Sequence, residues 1–63
     1  MLLRDAVIGD VLVLDDTRVS NFHKSLLYQV SEKNTKGIRL VTSVYGIPSW
    51  YNLDSDLSCI KTN

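Results

Sequence analysis

The sequence predicts an all-β domain of five short strands, and three observations carry that prediction. Residues 37–45 alternate, with Ile38, Leu40, Thr42 and Val44 on one face and Arg39, Val41, Ser43 and Tyr45 on the other. A period of two in β-branched and aromatic residues suits a pleated surface buried on one side. Residues 26–32 repeat the alternation through Leu26, Tyr28 and Val30. Between the two runs, Asn34 and Gly37 tolerate the left-handed angles that a hairpin turn requires.

Taken in order, the first strand is predicted over residues 6–14, with a turn or bulge at Gly9-Asp10 before Val-Leu-Val-Leu. A continuous apolar tetrad implies burial on both faces, or a strand that bends around a corner. Asp15-Asp16-Thr17 ends it, and a polar loop relieved by Val19 and Phe22 follows to about Lys24. Residues 21–32 read in two ways. Phe22, Leu26 and Val30 recur at i, i+4 and i+8 behind a capping Ser20 or Asn21, which describes a helix. That reading gives an α+β alternative, a helix at 21–32 on a three-stranded sheet. The alternation of Leu26, Tyr28 and Val30 and the turn after them favour the strand. Residues 37–45 form the third strand, and Gly46-Ile47-Pro48 the next tight turn. Residues 49–53 give a fourth strand, Asp54-Ser55-Asp56-Leu57 one helical turn opened by an Asp cap, and residues 58–61 a fifth strand.

This order, with Val7-Ile8-Gly9-Asp10-Val11-Leu12-Val13-Leu14 at its start and Asp54-Ser55-Asp56-Leu57 before the last strand, resembles the small SH3-like β-barrel over nearly the whole chain. An apolar-Gly-Asp-apolar opening recurs in many SH3-like barrels, including those tied to transcription and translation proteins. The resemblance implies a five-stranded, partly closed barrel with few free edges. The acidic, aromatic-rich first loop and paired tryptophans of peptide-binding SH3 domains are missing, so proline-rich ligand binding is not carried over.

At 63 residues the chain holds one domain, 1–63. A chain this short buries only about 60% of its unfolded surface, which keeps stability modest. Hydrophobic residues at 44% and charged ones at 22% belong to a folded globular chain rather than a disordered one. The lone Cys59 allows no internal disulfide, Arg4 and Asp5 interrupt any apolar signal-peptide core, and the longest apolar runs are far too short to span a membrane. Together these predict a soluble, cytoplasmic protein.

Chemistry finds little purchase. His23 and Cys59 are the only imidazole and thiol, with no spacing that pairs them, so no catalytic residue is assigned. They read as a solvated loop residue and a small buried hydrophobe. Asp15-Asp16 and Asp54/Asp56 lack the glycine and glutamate of a calcium loop and read as a strand end and a cap. Gly9, Gly37 and Gly46 stand singly, which excludes a phosphate cradle, and no zinc constellation exists. No metal and no cofactor are expected, and the chain is read as non-enzymatic.

Two surface features remain. Seven bases balance seven acids, yet the charge is uneven: one base against four acids in residues 1–16, five against one in 17–40, one against two thereafter. If residues 17–40 form one side, Arg18, Lys24, Lys33, Lys36 and Arg39 make a basic face able to hold a phosphate backbone, with tyrosines or Trp50 to stack a base. The plainer reading is that these charges decorate loop tips. The second feature is aromatic. Trp50 and Tyr51 are adjacent in a strand and so point to opposite faces, one into the core and one outward. With Tyr45, Ile47 and Pro48 they form an apolar patch suited to anchoring an interface.

The preferred function is therefore a small protein-binding module that docks Tyr45, Ile47, Pro48, Trp50 and Tyr51, with the first hairpin, on a larger partner protein. Size and economy suit a stand-alone adaptor or inhibitor such as bacteria and their phages encode. The alternative is a nucleic-acid-binding barrel using the basic segment. A homo-oligomer joined through the aromatic patch is compatible with either, and no membrane partner is expected.

Overall fold

The computed structural model describes residues 1–42 and 48–63. The alternating runs form a hairpin of β2 (Tyr28–Asn34) and β3 (Gly37–Thr42), which with β1 (Val11–Leu14), β4 (Pro48–Tyr51) and β5 (Cys59–Lys61) makes one antiparallel sheet in the order β4-β3-β2-β1-β5. The fold is thus mostly β, as the periodicity predicts. Its edge strands, β4 and β5, do not pair with each other among the described residues.

Alternation decides the two faces. Ile38, Leu40 and Thr42 are buried on the inner face, and Arg39 and Val41 are half-buried on the outer one. Leu3, Ala6, Leu12, Leu14, Tyr28, Val30 and Cys59 complete the core with Ile38 and Leu40. Each such aliphatic side chain contributes about 1.5–3 kcal/mol by leaving water. Val11 and Val13 are only half-buried, so the apolar tetrad is not buried on both faces.

The hairpin turn spans Thr35 and Lys36. Only Gly37 of the two expected turn residues takes a positive φ, +138°, while Asn34 keeps φ negative and accepts the Lys36 N–H through Oδ1 at 2.8 Å. Gly37 has a second reason to lack a side chain: a Cβ there would run into the Tyr51 carbonyl. A one-residue shift between Val30 and Glu32 bulges β2.

Several boundaries differ from the sequence expectation. The first strand begins at Val11 rather than residue 6, because residues 3–5 form a 3₁₀ turn and Gly9, at φ +97°, turns the chain before Asp10. The buried Asp10 carboxylate accepts the Val7 N–H at 3.0 Å, which fixes this turn. The helix at 21–32 shrinks to α1 (Asn21–Lys24), capped by Ser20, and strand pairing takes over from Tyr28, so the three-stranded alternative does not hold. The i, i+4, i+8 pattern fails because Phe22 stays exposed while Tyr28 and Val30 are drawn into the sheet core. Residues 54–57 form no helical turn; the chain turns at residues 53–54, and the Ser55 and Leu57 carbonyls accept from the N–H groups of Arg4 and Leu3 in the N-terminal segment. The fourth strand starts at Pro48, which the sequence reading assigns to a turn, and stops at Tyr51. Val44, Tyr45, Gly46 and Ile47 lie outside the described residues.

Beyond β5, residues 1–4 run along residues 55–59: Met1 O accepts from Cys59 N at 2.8 Å, Leu3 N donates to Leu57 O at 2.8 Å, and Arg4 N to Ser55 O at 3.1 Å. Lys33 ties this segment to the hairpin, its Nζ donating to the carbonyls of Arg4 and Ala6 at 2.7 Å each. No helix among the described residues is long and apolar enough to cross a membrane.

Candidate interaction site

The long loop after β1 is held by one buried carboxylate. Asp16 accepts the backbone N–H of Arg18 at 2.8 Å, its Nε at 2.8 Å and Nη2 at 2.9 Å, and the Ser58 N–H at 2.9 Å. The Arg18 guanidinium and these backbone donors hold the Asp16 carboxyl far below the usual carboxylate range. Arg18 Nη2 continues to the Asp56 carboxylate at 2.9 Å and to the Asp56 carbonyl at 3.2 Å. The loop, the segment before β5 and the end of β1 therefore share one polar clamp. Sequence reading takes Asp15-Asp16 as a strand end; the Asp-x-Arg spacing is the signal it misses.

Next to this clamp lies an open cleft of about 580 Å³. It is lined by Trp50 and Tyr51 of β4, by Asn52 and residues 54–57 after it, and by Arg4 and Arg18. The chain reaches this arrangement because residues 2–4 pair along 55–58 and Arg18 is pulled toward Asp56, so three distant segments converge. Arg4 goes unnoticed in the sequence and residues 54–57 are read there only as a capped turn, since only the tertiary pairing brings them into one cleft with Trp50.

The aromatic pair divides as adjacent strand residues must. Tyr51 sits opposite Ile38, packs against the core and has its phenol pushed up by burial. Trp50 sits opposite Arg39 on the outer face and keeps 46% of its surface exposed. Pro48 is exposed at the start of the same strand, opposite Val41. Of the predicted docking residues, Trp50 and Tyr51 therefore meet at the cleft, Pro48 stands beside it on the outer face, and Tyr45 and Ile47 fall outside the described residues.

The basic residues are dispersed. Arg18 is held by Asp16 and Asp56, Lys33 by two carbonyls, and Arg39 faces Glu32 at 3.6 Å. Lys24 ends α1, and Lys36 is exposed at the hairpin tip. Arg18 is the one of the five that lines the cleft.

His23 is exposed, its Nδ1 2.7 Å from the capping Ser20 Oγ, whereas Cys59 is fully buried with its thiol pushed up by desolvation. Among the described residues no three His, Cys, Asp or Glu side chains are grouped to hold a metal ion. A smaller hollow of about 170 Å³ on the outer face, lined by Val11, Leu27, Gln29 and Val41 among others, is largely apolar. No known protein family matches the chain, and comparison with curated proteins and with solved structures finds no match.

Proposed function

We propose that the chain is a non-enzymatic protein-binding module whose sheet is the partly closed barrel of SH3-like type. The strand order supports the barrel reading: a four-strand meander whose fifth strand returns beside the first. The observation that carries the docking role is the exposure of Trp50 in the lining of the 580 Å³ cleft. A tryptophan fixed on a strand offers a large apolar area with little side-chain freedom left to lose, which is the usual make-up of an interface anchor. The cleft lining also carries Arg4 and Asp54, which form no ion pair among the described residues, so a partner segment finds one such charge of each sign in the same cleft as Trp50.

The reading is tested by affinity capture from a host-cell lysate, washed at low and then high salt, with nuclease treatment as control. A protein partner held by an apolar anchor survives both washes, because screening acts on exposed charges and hardly on apolar burial. Trp50→Ala is expected to weaken that partner at least about thirtyfold, the loss of one interface anchor. Recovery of nucleic acid released by salt, or capture indifferent to Trp50→Ala, overturns the proposal.

A further inference from the structure

The outward edge of β4 carries a pattern of donors and acceptors that matches itself. In an antiparallel ladder, residues alternate between positions that exchange hydrogen bonds with the neighbouring strand and positions whose N–H and C=O point away. Pro48 has no N–H, so its pairing with Val41 is of the second kind. By alternation Ser49 and Tyr51 bond to Leu40 and Ile38, and Trp50 turns its N–H and C=O away from β3. At the next outward position, Asn52 already spends its carbonyl on the Ser55 N–H at 3.1 Å. With the alternation carried one residue past the strand end at Tyr51, the edge offers a carbonyl at Pro48, a donor and an acceptor at Trp50, and a donor at Asn52.

We infer that this edge is a self-association surface, on which a second copy of the chain adds its own β4 antiparallel with Trp50 opposite the partner's Trp50. In that register the two Trp50 residues exchange two hydrogen bonds, and the Asn52 N–H meets the Pro48 carbonyl of the partner subunit, twice by symmetry. The donor missing from Pro48 falls opposite the acceptor already occupied at Asn52, so neither leaves an unpaired group. Sliding the strands until Pro48 faces Trp50 strands the Trp50 carbonyl in both copies, and proline thereby selects one register while discouraging open-ended addition.

The surroundings fit a second copy. No residue from Pro48 to Asn52 is charged, and the whole chain carries seven bases and seven acids, so two copies meet without repulsion. Facing Trp50 residues stand about 5.5 Å apart at Cα, which brings the two half-exposed indoles together as a cross-strand aromatic pair on the outer face. At the opposite edge, Met1 takes both backbone groups of Cys59 and Leu2 bridges to Ser58, so Lys61 is the one outward β5 position left among the described residues, whereas on β4 both Pro48 and Trp50 face outward. A junction of four backbone bonds and two indoles is small, so the dimer belongs to the weak class. It goes beyond the docking role and competes with it, because both cover Trp50.

Sedimentation equilibrium of the isolated chain from roughly 0.01 to 1 mM measures the association, a range that brackets weak dimers. The register is read by NMR on a mixture of labelled and unlabelled chain. Ser49 and the partner's Tyr51 form the closely spaced pair, so an intermolecular Hα–Hα contact between them is expected. A chemically made chain bearing N-methyl-Trp50 keeps the indole and removes the donor; with an unchanged circular dichroism spectrum it is expected to stay monomeric. A monomer throughout the range overturns the inference, as does a dimer without the Ser49–Tyr51 contact whose Trp50 N–H exchanges at the monomer's rate. Either failure leaves partner capture through Trp50 standing, and loss of capture leaves the dimer standing.

Discussion

Beyond β5 the first residues of the chain run antiparallel to residues 55–59, and the buried Asp16 fastens the loop after β1 to Ser58, whereas among the described residues no backbone hydrogen bond reaches the outward side of β4. The two sides of one sheet thus end differently. On the β5 side, polar groups are consumed internally: Asp10 takes Lys61 at 3.3 Å, Arg18 bridges Asp16 and Asp56, and Asn63 Oδ1 accepts from Val11 N at 3.0 Å. On the β4 side, a large aromatic surface and unspent backbone groups face outward together. Internal hydrogen bonds and ion pairs are concentrated on the β5 side, and the proposed docking and self-association both fall on the side without them.

The largest break in this contrast is expected in the strand that carries the β5 side. Leu12 is fully buried on β1, between β2 and β5. Truncation to Ala is expected to cost about 2–5 kcal/mol through lost burial and the cavity left behind. For so small a domain that is most of the folding free energy, so urea denaturation of Leu12→Ala should show a largely unfolded chain at room temperature.

Acid sharpens the contrast next. Asp16 is held below the ordinary carboxylate value of 3.8 by its hydrogen bonds from the Arg18 side chain and from backbone N–H groups, and Asp10 chiefly by the Val7 N–H. Because the folded values lie below the unfolded ones, the stabilisation is present above pH 3.8 and is lost as pH falls toward the folded values. The urea midpoint should therefore decline on acidification below about pH 4. Asp16→Asn is expected to start lower and to decline less steeply, since it has no such proton to take up. An equal slope in both proteins would remove Asp16 as the source. The β4 side contributes at the other extreme: Tyr51 is raised by burial, so its share persists below the ordinary phenol value of 10.0 and fades as pH rises through the folded value.

The smallest effect on folding is expected at Trp50. Its indole is half outside, so Trp50→Ala should change stability by no more than about 0.5 kcal/mol, measured by the same denaturation. A loss of several kcal/mol would instead mark Trp50 as packing for β3 and erase the distinction between the two sides.

Local patterns were legible where they are short-range. The period of two in residues 38–42 places Ile38 and Leu40 in the core, and the Asn-x-x-Gly spacing locates the hairpin, because both depend on neighbouring residues alone. The same local view leaves residues 21–32 between helix and strand, where the favoured strand holds from Tyr28, and it misjudges residues 54–57. Helical spacing and an Asp cap are present there, but the helix stops after four residues and residues 54–57 form none, because sheet pairing in β2 and the N-terminal residues supply backbone partners from far along the chain. It also shows that Trp50 and Tyr51 part to opposite faces without telling which goes inward.

By itself, then, the sequence determined that this is a mostly β domain, and it picked out the aromatic strand end as distinctive. Only the tertiary structure decided that Tyr51 goes in and Trp50 out, that Arg4, Asn52 and residues 54–57 line a cleft with them, and that Arg18 and Lys33 spend their charge internally. The reason is physical. Alternation is a property of one strand, whereas side-chain direction, edge exposure and charge pairing depend on which distant segment arrives at the other side.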